Sequence, residues 1–179
     1  DLCSVLEDAE SRQDDLINEQ EEHTWYVIHA LQLLGEFQDA ASIPQVCRFL
    51  SSDVYFTEYW ELNHFEQSVT HYFAAVGLQD LPALFDFICH SRANVWHKMC
   101  VLEGVGLALI NAEAEQQKVV DWLEQLLIHF LNTDTRPFAD RELLFSELSL
   151  LYQHLDAHRL EPMVKALFDR GWVDETYHG

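Results

Sequence analysis

Positive charge is scarce in this chain. Ten Lys and Arg stand against 31 Asp and Glu in 179 residues, a formal net charge of −21. The cations come one at a time: Arg48, Arg92, Lys98, Lys118, Arg136, Arg141, Arg159, Lys165 and Arg170, with Arg12 alone in the first 22 residues. A surface of that sign repels phosphate backbones, which excludes nucleic acid as a partner. Long apolar runs are also missing. Nothing approaches the roughly 18 to 20 apolar residues that span a bilayer, so no membrane segment is predicted. Cys3, Cys47, Cys89 and Cys100 form no C-x-x-C pair and no dense disulfide framework, which fits a reduced, cytoplasmic protein. No stretch alternates at period two, so no strand is predicted. G-x-S-x-G, P-loop, Rossmann and H-E-x-x-H motifs are all absent, and neither a catalytic residue nor a cofactor is predicted. The first residue is Asp1 rather than Met, which fits a trimmed chain or one whose signal peptide has been removed.

What the chain has is apolar residues, 49% of the total, dispersed at helical spacing and enough for one buried core. Val27, Ala30, Leu31 and Leu34, with Tyr26, Leu33 and Phe37 beside them, predict a mostly covered helix from Trp25. Asp39 and Ser42 follow as turn and capping oxygens. Phe65, Val69, Tyr72, Phe73 and Val76 mark a second helix, which Gly77 can end in a left-handed conformation. Asp80 and Asn94 are candidate N-caps for the next two helices. Val95, Met99, Leu102, Val105 and Leu109 cover most of a central helix, in which Gly104 and Gly106 imply close approach by a neighbour. Val119, Val120, Leu123, Leu126, Leu127, Phe130 and Leu131 mark its partner. Leu144, Leu148, Leu151 and Leu155 mark the next helix, and a last one ends at Gly171.

Three of the four prolines open helices after an aliphatic turn: Ile43-Pro44, Leu81-Pro82 and Leu160-Glu161-Pro162. Pro137 lies in a turn. The intervals between the three are about 40 residues and then about twice that, in the range of paired-helix repeats with one proline lost. This predicts an all-α chain, a right-handed α-solenoid of about four antiparallel helix pairs over residues 1–179. An acidic N-terminal helical segment at 1–22 precedes pairs at 25–50, 64–90, 94–131 and 138–170, with a groove lined by the second helix of each pair.

The block Ala30 to Leu50, ALQLLGEFQDAASIPQVCRFL, resembles a HEAT-like repeat of the phycobilisome-lyase type, with Gly35, Asp39, Pro44, Val46 and Leu50 on its pattern. The wider order of helices, including LEPMVKALFDRGWVD near the end, is similar to a bacterial family of uncharacterised HEAT-like proteins. The resemblance implies an α-solenoid and no particular activity. No cysteine accompanies the repeat where bilin attachment would show one, so lyase chemistry is not expected. Some relatives continue into a small Cys and His metal module, absent from residues 1–179.

Candidate sites are few. Tyr55, Phe56, Glu58, Tyr59, Trp60, Glu61, His64 and Phe65 crowd the connection between the first two pairs, where they either cover the core or form a binding patch. Arg92, Asn94, Trp96 and His97 make a second cluster at the next pair boundary. Glu61 and His64 have the E-x-x-H spacing of di-iron bundles, but no second such motif exists, so no metal is predicted. His154 and His158 read as a surface pair at a helix end. Thiols at Cys47, Cys89 and Cys100 read as small buried hydrophobes. The acids of residues 1–22 read as a solvated outer face or as a docking face for a basic partner. Together these point to a non-catalytic adaptor that binds a protein, basic in character. The alternative is an enzyme or small-ligand protein with a pocket near Tyr59, Trp60, His64, Trp96 and His97.

Overall fold

The computed structural model describes residues 1–18, 25–52, 65–110, 112–133, 141–155 and 157–173. Every regular element among them is helical. Ten α-helices run in order: α1 (Leu2–Ser11), α2 (Gln13–Asn18), α3 (Trp25–Glu36), α4 (Ile43–Leu50), α5 (Phe65–Val76), α6 (Leu81–His90), α7 (Val95–Leu109), α8 (Gln116–Asn132), α9 (Arg141–Gln153) and α10 (Glu161–Asp169). No described helix is long and apolar enough to cross a membrane.

The same order, helix, single 3₁₀ turn, helix, occurs four times. Turns at Ala40–Ser42, Gly77–Gln79, Glu113–Glu115 and His158–Leu160 lead into α4, α6, α8 and α10. Three of those helices carry Pro in their first turn, where its missing N–H removes no helix bond. α8 begins Gln116-Gln117 instead and keeps the turn, so the unit does not need the proline.

Contacts sort the helices into two rows. α3, α5, α7 and α9 pack consecutively in a first row and α4, α6, α8 and α10 in a second, with α1 against both α3 and α4. The buried faces follow the sequence pattern closely: Phe65, Val69, Tyr72, Phe73 and Val76 of α5 are all inaccessible. α7 is buried on most of its circumference, as expected of a helix with α5 on one side and α9 on the other. α3 is less covered than predicted, because Leu33 and Phe37 stand exposed.

Within the first row, α5 and α7 approach at backbone distance. A Cβ on Gly104 would lie 2.7 Å from the Phe73 Cβ, 2.8 Å from the Thr70 carbonyl oxygen and 3.0 Å from the Ala74 nitrogen. Gly106 has no such role, since its Cβ would meet only a Leu151 methyl at 3.4 Å. Second-row helices meet through rings instead: Phe85 and His90 of α6 lie edge-on to His129 of α8 at 5.8 and 5.3 Å.

Capping follows the sequence at two sites and departs from it at three. Asp80 accepts from the Ala83 N–H at 3.1 Å and Asn94 from the Trp96 N–H at 3.0 Å. Asp39 and Ser42 make no side-chain cap. Ser42 Oγ donates to the Asp39 carbonyl at 2.5 Å, which leaves it to accept from Tyr72 Oη at 2.6 Å, and so ties the first 3₁₀ turn to α5. Gly77 is not left-handed. It opens a 3₁₀ turn, while Gln38 with φ of 52° takes the positive-φ position after α3.

Candidate functional site

α7 places a mixed stripe on the first-row surface. Trp96, Glu103, Leu107 and Ile110 follow one another along it, and Trp96, Leu107 and Ile110 are 41%, 37% and 72% exposed. Asn94 accepts from the Trp96 N–H and so fixes the start of the helix at Val95. The stripe forms the middle of a groove of about 1050 Å³ between α5, α7 and α9. Its location differs from the expected one, since the first helices of the pairs line most of it and the second helices contribute only Gln116, at the start of α8. The reason is packing: Gly104 lets the first-row backbones close up, and the groove forms over that row.

Acidic side chains rim the groove and no described Lys or Arg lines it. Glu66 comes from α5, Glu103 from α7, Glu113 from the turn after α7 and Glu147 from α9. Thr70 Oγ1 donates to Glu103 Oε2 at 3.1 Å, which holds that carboxylate over the α5–α7 seam. Burial, and then the nearby Glu103 charge, push the Glu66 carboxyl above its ordinary pKa. Among the described residues, Glu66, Glu103 and Glu113 have no Lys or Arg partner. A smaller depression of about 730 Å³ between α3 and α5 shares His71 with the groove, so the first-row surface is concave across both seams.

Ion pairs gather elsewhere. Arg48 reaches Glu7 at 3.3 Å and Glu10 at 3.4 Å, joining α4 to α1. Lys118 pairs with Glu115, Arg159 with Asp121 and Glu124, and Lys165 with Asp169. Asp8 pairs with Arg12. Thus several acids of the N-terminal segment serve contacts within the chain.

The described residues among those singled out by sequence separate in the fold. Tyr55, Glu58, Tyr59, Trp60, Glu61 and His64 lie outside the described residues. Arg92 is exposed in the link between α6 and α7. Trp96 and His97 are neighbours in sequence but face apart. Trp96 lines the groove, whereas His97 is fully buried, with Nδ1 3.3 Å from the Leu50 carbonyl and its ring edge-on to Phe65 at 5.7 Å. His97 is therefore neutral, its pKa lowered by burial to about 4, with the Leu50 bond opposing that shift. Nδ1–H is the donor in that bond, because a carbonyl can only accept. Lys98 is buried as well and donates from Nζ to the Ser91 carbonyl at 3.1 Å. Burial lowers its pKa to about 8.

The site offers binding surface and little reactive chemistry. Burial pushes the thiols of Cys47, Cys89 and Cys100 up to about 12, so all three are protonated at neutral pH. Among the described residues no three His, Cys, Asp or Glu converge to hold a metal ion. α9 ends at Gln153, and a turn separates His154 from His158, so the two do not share a helical face.

Sequence reading passed over Glu66, Glu103, Glu113, Leu107 and Ile110. A signal for them existed. α3 and α5 contain no Lys or Arg, and Trp96, Glu103, Leu107 and Ile110 keep helical spacing on the side of α7 away from Lys98. Compared with known proteins, the chain matches no protein family, no curated protein and no solved structure.

Proposed function

We propose that the chain is a non-catalytic protein-binding adaptor or scaffold whose binding face is the first-row groove. Its four helix–turn–helix units are read as HEAT-like repeats stacked in a right-handed α-solenoid, in which exposed positions of successive repeats serve recognition. The groove between α5, α7 and α9 carries this reading, with exposed Trp96, Leu107 and Ile110 beside Glu66, Glu103 and Glu113, which have no Lys or Arg partner among the described residues. An apolar strip with a polar rim is the usual composition of a protein-binding patch. Four free thiols support a place in the reducing cytoplasm.

The test compares proteins captured from source-cell extract by the wild type, by Trp96→Ala/Ile110→Asp and by Lys165→Ala on the second row. Capture lost only with the groove variant supports the adaptor. Identical capture by all three, or turnover of a substrate by the purified chain, rejects it.

A further inference from the structure

The groove also constrains its occupant. Trp96 and Ile110 are fourteen residues apart, so the stripe on α7 extends about 21 Å, the length of roughly four helical turns. Apolar contacts lie at its two ends, and Glu103 lies between them. Glu66 flanks it from α5 and Glu113 from the turn after α7. Thus one occupant must present apolar groups at helical intervals and positive charge around them.

Other occupants fit worse. A small cation would leave the apolar stripe uncovered, and a nucleic acid would meet carboxylates. A second copy would bring another formal charge of −21. Of its exposed cations, Arg48, Lys118, Arg159 and Lys165 are already engaged with acids of their own chain, and Arg92 alone cannot answer three carboxylates. A peptide binding by strand addition would need a sheet edge to pair with, and the described residues form only helices.

Resting on the adaptor reading above, we propose that the groove takes a basic amphipathic helix of a partner protein. Its apolar face lies on Trp96, Leu107 and Ile110, and its Lys or Arg side chains reach Glu66, Glu103 and Glu113. Neutralising the neighbouring Glu66 and Glu103, and Glu113 further along the groove, supplies specificity and fast encounter, and covering the exposed apolar side chains supplies affinity.

The test is selection from a displayed library of random peptides of about 16 residues, whose helix spans about 24 Å. The purified full chain is the bait and Glu66→Gln/Glu103→Gln/Glu113→Gln the counter-selection. Enriched peptides are expected to carry net positive charge, to space apolar residues at i, i+3, i+4 and i+7, and to gain helical circular dichroism on binding. Fluorescence anisotropy should find them bound about tenfold or more weakly by the triple variant and by Ile110→Asp, and unchanged by Lys165→Ala. Should the triple variant fail to fold, Glu113→Gln alone, in an exposed turn, must still weaken binding. Neutral or acidic winners, winners without periodicity, equal binding to the variants, or no enrichment each overturn the proposal. If capture from cell extract still depends on Trp96 and Ile110, only the class of occupant falls. If that dependence is also missing, the adaptor reading falls with it.

Discussion

Along the second row, Arg48, Lys118, Arg159 and Lys165 each sit beside a carboxylate, and α6 and α8 meet through side-chain rings. Around the first-row groove, Glu66, Glu103 and Glu113 have no such neighbour among the described residues, and α5 and α7 meet at backbone distance. All three glycines that lie within described helices, Gly35, Gly104 and Gly106, belong to the first row. One row thus sets Arg48, Lys118, Arg159 and Lys165 beside acids, and its α6 and α8 meet through rings. The other packs closely and leaves charge uncompensated. Stability accounts for the first pattern but not for the second, because burial and Glu103 both disfavour the ionised form of Glu66. The proposed recognition of a cationic partner would account for it.

The sharpest way to break this comparison is to loosen the first row. Gly104→Ala forces a methyl against three α5 atoms, two of them backbone, and should cost about 3 kcal/mol, read as a lower urea midpoint. Gly106→Ala, two residues on, should instead gain up to about 1 kcal/mol from helix propensity. Equal effects would refute backbone contact as the reason for Gly104.

A second test uses the link between rows, His97 of α7 on Leu50 of α4. The folded pKa is about 4 against an ordinary 6.5. Between those values the unfolded chain binds the proton and the folded one does not, so stability falls as pH drops from 6.5 toward 4. The loss should reach about 3 kcal/mol by pH 4. His97→Phe should flatten the pH slope assigned to this ring, whatever its effect on absolute stability. An unchanged slope in denaturant melts would place the titration elsewhere.

Smaller effects separate the rows further. Tyr72→Phe removes the hydroxyl that Ser42 accepts and should cost about 1 kcal/mol, with the Ser42–Asp39 bond intact. Asp169→Asn breaks an exposed i, i+4 pair with Lys165 and should lower stability by only about 0.3–0.5 kcal/mol. Glu66→Gln should do the opposite and raise the melting temperature at pH 7. A raised carboxyl pKa penalises the fold only above the usual carboxylate range, so that gain should fade as pH falls through it. A destabilised Glu66→Gln at neutral pH would show the carboxylate to be a structural element.

Helices were legible because their apolar faces repeat at 3.6 residues, as Phe65, Val69, Tyr72, Phe73 and Val76 illustrate. Asp80 and Asn94 were legible as caps because each directly precedes the helix it serves. Asp39 and Ser42 misled, since their oxygens had a competing partner thirty residues away in Tyr72. Trp96 was found and Glu103 was not. An exposed aromatic is unusual in any context, whereas one glutamate among many acids becomes informative only when the positions of the cations are known.

The amino-acid sequence by itself determined that this protein is helical, where its second helices begin, and that its surface is strongly acidic. Those properties follow from local periodicity, from proline and capping chemistry, and from a count of charges. Only the tertiary structure decided which row holds the groove and which carboxylates lack a cation. Both depend on distances between residues far apart in the chain: Gly104 reaching Thr70 and Phe73, and Arg159 reaching Asp121 and Glu124 rather than the groove.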